Sequence, residues 1–298
     1  MGLLALWRNR SSPMPSPVQG EDTRWHQFRE TDAVIVFVHG VLSSSDSCWF
    51  NPTSGAFWPE LVSKDEAFSD SSVFLAGYHT GVYSGDYSVA DCARELLGNL
   101  LRPIDPGGAP LHHQRITLIC HSLGGVVARY MLERWREQFK DKAIGLILLA
   151  SPSLGSLYAN RLANVIRLMH HKTGRQLKWT SDDLVDLDRR FRDLVKERLI
   201  PGLDGLEAVE HRFPLGPLII RTWLPPIVDV ASGARYFGDV IRVAGTDHFS
   251  IAKPDRESHR SHLVVRDFYT NFASSAPAIK RSRPTGMAQT SGLSLRNY

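Results

Sequence analysis

Three cysteines in 298 residues, Cys48, Cys92 and Cys120, are too few and too scattered for a disulfide framework or a metal cluster. Their scarcity favours a reducing compartment. Nowhere does the chain hold the roughly 20 consecutive apolar residues that a membrane-crossing helix needs. Charge of one sign is also missing: 35 Lys and Arg stand against 31 Asp and Glu, a net of +4. That small surplus permits peripheral contact with an anionic membrane surface. It does not point to nucleic acid, because no basic helix interleaved with aromatic residues accompanies it. No internal repeat is evident, and neither a metal nor a cofactor is expected. The first eight residues carry an apolar run too short for a secretory signal, with its positive charge after the run instead of before it. Leu6 stands where a myristoylation pattern wants Ser or Thr. A cytoplasmic location is therefore expected.

Composition shifts mark the ends. Residues 11–20 are rich in Pro and Ser, so 1–30 reads as a flexible leader. Residues 274–298 are rich in Ser, Pro and Gly and carry Lys280, Arg281 and Arg283, so they read as a disordered basic tail. Between them, 31–273 is long enough to bury one large core. A continuous apolar run at 33–38 reads as a strand buried on both faces, the β-branched run 115–119 and the stretch 144–149 as further buried strands, and 72–76 as another strand. Helical spacing at 87–101 and from 126 to about 139 separates them. Strands alternating with helices imply a mostly parallel sheet covered on both faces. From Leu154 the rhythm changes, with helix-like stretches at 157–170 and 182–199 and no strand between them. Residues 155–217 accordingly read as a helical insertion. Sheet pattern resumes at 218–220 and 239–243, and a last helix is expected over 258–272.

The most informative segment is Cys120-His121-Ser122-Leu123-Gly124-Gly125. A strand precedes it and a helix follows, so Ser122 sits on a sharp strand-to-helix turn. Small neighbours let such a turn take strained dihedrals and push the hydroxyl outward. The helix N-terminus beneath it favours developing negative charge. Cys120 is read as a small buried apolar residue at the strand end, pointing away from the apex, and not as a thiol nucleophile.

On these residues the chain resembles the α/β-hydrolase superfamily in its lipase-like serine esterase branch, and is similar to GPI inositol-deacylase-like lipases. The family pattern is G-x-S-x-G, and here Cys120 takes the first small position. The resemblance covers about residues 33–272. It implies an α/β-hydrolase fold with a helical cap at 155–217 and a serine nucleophile that needs a base. His248, in Gly245-Thr246-Asp247-His248-Phe249, follows the last expected strand, where this superfamily puts its histidine. His79 and His262 are read as surface residues instead. The acid of a Ser-His-acid triad should stand between Ser122 and His248, at the end of the penultimate strand. Asp229 fits best, with Glu207 and Glu210 as runners-up and Asp247 too close to the histidine. The expected oxyanion donors are the Leu123 backbone N–H and one from the loop after His39-Gly40, Val41 or Leu42. Ser151-Pro152-Ser153-Leu154-Gly155-Ser156 resembles the T-P-H-x-G-S stretch at the mouth of lipase sites, with Ser153 in place of the histidine.

Leu157, Tyr158, Leu162, Val165, Ile166 and Met169 share one helical face. That face would cover an acyl pocket or dock on anionic lipid. Two functions stay open: hydrolysis of an acyl ester or lipid through an acyl-enzyme on Ser122, and a non-catalytic scaffold that binds partners. Thioesterase or transacylase chemistry would use the same residues. The oligomeric state leaves no mark in the sequence.

Overall fold

A computed structural model describes residues 23–40, 43–79, 88–152, 181–211 and 236–275. Seven strands form one sheet: β1 (Arg24–Gln27), β2 (Ala33–Val38), β3 (Ser72–Ala76), β4 (Arg115–His121), β5 (Ala143–Leu149), β6 (Leu203–Glu210) and β7 (Ile241–Val243). Their order is β1-β3-β2-β4-β5-β6-β7. Every pairing is parallel except that of β1 with β3. All six residues of β2 and all seven of β5 are buried. Strands covered on both faces need just such unbroken apolar runs.

Helices supply the cover. On one face lie α2 (Val89–Leu101), α3 (Leu123–Arg134) and α4 (Ser181–Lys196), which contribute Leu96, Val127 and Phe191 to a core with Val36, Leu118 and Leu146. On the other lie α1 (Trp58–Lys64) and α5 (Arg260–Ser275), whose Trp58 and Tyr269 pack on Phe37, Ile119 and Ile147. Each such buried side chain contributes about 1.5–3 kcal/mol. The fold is that of an α/β-hydrolase, as the resemblance implies. Among the described residues no helix is long and apolar enough to cross a membrane.

Three expectations are corrected. The sheet begins inside the stretch assigned to a leader, because Arg24–Gln27 pairs with β3. Trp25 anchors that edge, packing against Phe74 at 4.9 Å between ring centroids and donating its indole N–H to Ile104 O at 2.8 Å. The expected insertion also ends too late. Helix α4 packs on the sheet side through Phe191 and Leu194, and β6 pairs in parallel with both β5 and β7. Residues 181–210 therefore belong to the sheet and its cover, while 155–180 and 212–220 lie outside the described residues. The third correction concerns His262, which is fully buried. Its Nδ1 accepts the Trp58 indole N–H at 3.2 Å, so its Nε2 carries the proton and donates to Asp65 Oδ2 at 2.8 Å.

Asp65 stitches α1 to α5. Its Oδ1 accepts the Ala67 N–H at 2.9 Å, and Arg266 stands 3.6 Å from Oδ2. Burial pushes its carboxyl pKa up, but the bonds from His262 and Ala67 and the Arg266 charge outweigh burial and hold it below the usual range. A carboxylate depressed in the folded state stabilises above its unfolded pKa of about 3.9, and that contribution is lost as the pH falls through the folded value. Asp65→Asn should therefore cost about 1–3 kcal/mol at pH 7. In urea titrations its deficit against wild type should shrink once the pH drops below about 4.

Candidate active site

Sheet register brings distant parts of the chain to one edge. Val38 pairs with Cys120, His121 with Leu149, Leu149 with Ala208, and Glu210 with Val243. The segments leaving β2, β4, β6 and β7 thus emerge side by side beyond the carboxyl ends of the strands, where open α/β sheets bind ligands.

At that edge Ser122 joins β4 to α3 with φ 52° and ψ −124°. An L-residue held there costs on the order of 1–3 kcal/mol and persists only where its surroundings over-determine it. Here Ser122 N–H donates to Leu149 O at 2.9 Å, and Gly125 N–H donates to Ser122 O at 3.1 Å. The two glycines answer to crowding. A Cβ on Gly124 would lie 2.6 Å from Val38 O, and one on Gly125 would lie 2.7 Å from Leu148 Cδ2. The turn can press against β2 and β5 only because both side chains are absent. Cys120 faces the opposite way, into the core with Val127 and Leu146. Burial pushes its thiol pKa well above the ordinary value, so it stays protonated.

The Ser122 hydroxyl meets an imidazole. His248 Nε2 lies 3.0 Å from Ser122 Oγ, and both residues are buried. The loop that delivers His248 is stiffened by Asp247, whose Oδ1 accepts the N–H of Phe249 at 3.0 Å and the N–H and hydroxyl of Ser250, each at 2.8 Å. That carboxylate is committed to its own turn, as expected for a neighbour of the histidine. On the far side of the ring, Glu210 Oε1 stands 3.9 Å from His248 Nδ1.

Serine turn, imidazole and carboxylate are thus aligned in one row. A protein-family model described as "Putative serine esterase (DUF676)" matches residues 29–190, more than half of the chain. The chain belongs to this family. No curated protein matches it. Among solved structures it is similar to MGS-MChE2, an α/β hydrolase enzyme from the metagenome of sediments of the lagoon of Mar Chica, Morocco. That likeness covers 86% of this chain and 99% of the other, at 14% identity and a TM-score of 0.44. The Bacillus licheniformis lipase BlEst2 in mature form is similar over 83% and 94% of the two chains, at 16% identity and a TM-score of 0.47.

Of the residues singled out from the sequence of this serine esterase family member, Ser122, His248 and Leu123 come together. Leu123 opens α3, and N–H groups in the first turn of a helix have no intrahelical acceptor. Val41, Leu42, Asp229 and Ser153 lie outside the described residues. The two runners-up for the acid separate cleanly. Glu207 Oε1 accepts the Tyr236 N–H at 2.7 Å, on the face of the sheet that packs α3 and α4. Glu210, three residues on, faces the histidine.

One support had no sequence signal. Arg129 on α3 is 2% exposed. It donates Nε–H to Gly125 O at 3.1 Å and bonds the Tyr236 hydroxyl and Pro152 O, with Asp188 Oδ1 3.8 Å away. A guanidinium is buried at tolerable cost only when its donors are engaged in this way. Arg129 therefore clamps the start of the segment after β5 onto the elbow helix. Gly124→Ala should lower thermal stability by about 1–3 kcal/mol through overpacking against β2. It should slow covalent labelling of the serine more than that loss of stability explains, because the turn itself is displaced.

Proposed function

We propose that the chain is a serine hydrolase that cleaves a carboxylic ester, lipase- or esterase-like, through an acyl-enzyme on Ser122. The observation that carries this reading is the 3.0 Å contact between Ser122 Oγ and His248 Nε2 on a positive-φ elbow. A serine hydroxyl at its free pKa is a poor nucleophile and needs a base within hydrogen-bond reach. Ser122 Oγ attacks the acyl carbon while His248 Nε2 takes its proton. The tetrahedral oxyanion is met by the Leu123 N–H and a second donor in the Val41-Leu42 loop, each lowering the barrier by on the order of 3 kcal/mol. Collapse expels the alcohol, which leaves with the proton from His248. Water then gives a proton to His248 and its oxygen to the acyl carbon, and the proton returns to Ser122 as the acid departs.

We assign the orienting carboxylate to Glu210 in place of Asp229. At 3.9 Å it lies on the Nδ1 side of the ring, and catalytic contacts are often long before substrate tightens them. Its charge would hold the Nδ1–H tautomer, which leaves Nε2 free to accept, and would stabilise the imidazolium. The substrate is an acyl ester, of a lipid or of a small alcohol.

A fluorophosphonate probe should label the native protein, Ser122→Ala should take no label, and His248→Ala should take almost none. Glu210→Gln should lower kcat for p-nitrophenyl esters by on the order of 10²–10⁴ fold, while Asp229→Asn leaves it near wild type. A native chain that takes no probe and hydrolyses no ester across an acyl-length series supports the partner-binding scaffold instead. Full activity in Glu210→Gln with loss in Asp229→Asn would restore the other acid.

A further inference from the structure

His121, the residue immediately before the nucleophile, has no part in the reaction scheme above, yet it is buried at the site. Its Nε2 lies 2.7 Å from the backbone carbonyl oxygen of His248. A carbonyl oxygen can only accept, so Nε2 carries the proton and Nδ1 keeps its lone pair. That lone pair faces Cys48 Sγ at 3.4 Å, within reach of a thiol donor. Burial holds both groups in the forms this needs: it drives the His121 pKa down to about 3 and the Cys48 thiol up to about 11. Neither group changes charge between those limits, so the link is constant over the working range of an esterase.

The surroundings leave the ring little freedom. Its centroid is 5.2 Å from that of His248 and 6.3 Å from that of Trp49. A Cβ on Gly40 would come within 3.4 Å of His121 Nδ1 and 3.1 Å of Ser122 Cβ. One side of the ring is therefore closed by the loop after β2 and the other by the loop that carries the base. Other ties fasten the base loop elsewhere: Asn51 Nδ2 donates to Lys253 O at 2.8 Å, and Lys253 Nζ donates to Phe50 O at 2.9 Å. Those bonds hold the loop to residues 50–51. The bond from His121 holds it to the end of β4, one residue before Ser122.

We propose that His121 is a positioning residue, a neutral strut from β4 that pins the His248 main chain and so sets the distance between base and nucleophile. The proposal rests on the reading of Ser122 and His248 as nucleophile and base. A parallel sheet aligns strand ends but not the loops beyond them. The imidazole arrives 126 residues after the hydroxyl that it must meet. A displacement of about 1 Å at such a contact costs on the order of 100-fold in rate. Because the same strand carries both strut and nucleophile, a small shift of β4 moves the two together.

The test compares His121→Phe, which keeps the volume and loses the donor, with His121→Gln, whose side-chain amide can reach the same carbonyl. The Phe variant should lose on the order of 10–100 fold in kcat for a p-nitrophenyl ester, with KM changed by no more than about twofold. Its rate of fluorophosphonate labelling should fall in parallel. The Gln variant should recover most of both. Should Phe not fold there, His121→Asn serves, because its shorter amide reaches towards Cys48 but not to the carbonyl, and it should be as slow as expected for Phe. A Phe or Asn variant with wild-type kcat overturns the proposal. So does a Gln variant as slow as the donor-free ones, since packing alone would then explain the loss. Failure of the underlying reading is visible separately, as labelling that survives Ser122→Ala.

Discussion

The site depends on a backbone held where an L-residue resists going. Ser122 at φ 52° is costly in isolation, on the order of 1–3 kcal/mol, and a solvated loop would relax it. Here relaxation is blocked from several sides. The β4–β5 pairing continues into Ser122 through Leu149 O, and helix α3 begins at the next residue. Gly124 and Gly125 bring that helix against β2 and β5 with no side chain between. The buried apolar side chains of β4 and β5, at about 1.5–3 kcal/mol each, exceed the strain several times over. The core therefore dictates where the hydroxyl points, and the rest of the site must come to it.

Its arrival is arranged by the sheet. In parallel strands the chain leaves every strand at the same edge, so residues far apart in sequence become neighbours without long loops having to search for them. His248 follows β7, Glu210 ends β6, and His39-Gly40 follows β2. Helix α3, starting directly under the serine, aims the positive end of its dipole at the place where an oxyanion would form.

Much of this was legible in the sequence because it rests on local chemistry. Unbroken apolar runs mark β2 and β5, largely apolar and β-branched residues mark β3 and β4, and the small residues around Ser122 mark the turn. Among twelve histidines His248 stands out by its place after the last strand. Strand β6 was not legible. Leu203-Asp204-Gly205-Leu206-Glu207-Ala208-Val209-Glu210 is rich in helix formers and acidic residues and carries a glycine, so it reads neither as a buried parallel strand nor as clean alternation. It becomes a strand because β5 offers an open ladder and Leu206 and Ala208 can cover one face. Without it the sequence places the penultimate strand at 218–220 and the acid at Asp229, both outside the described residues. The burial of His262 has no local signal for a related reason: it depends on Trp58 and Asp65, about 200 residues upstream, and no local pattern records such a contact.

Once β6 is in place, a period of two decides between its glutamates. Ala208 packs with Ile119 and Val243 on the face that bears α1 and α5, whereas Glu207 reaches Tyr236 on the opposite face. Glu210 shares the parity of Ala208, and on β4 His121 shares that of Ile119. Both polar residues therefore fall on the same side of the sheet as the loop carrying His248, one at its ring and one at its main chain. Cys120 falls on the other side with Glu207, which is why the thiol next to the turn packs in the core while His121 bonds the His248 main chain. A slip of one residue in either strand would exchange these partners and put a carboxylate into apolar packing. The same register that seats Ala208 and Ile119 in apolar packing thus composes the polar row at the edge, and stability and site geometry impose a single condition on the pairing of β4, β5 and β6.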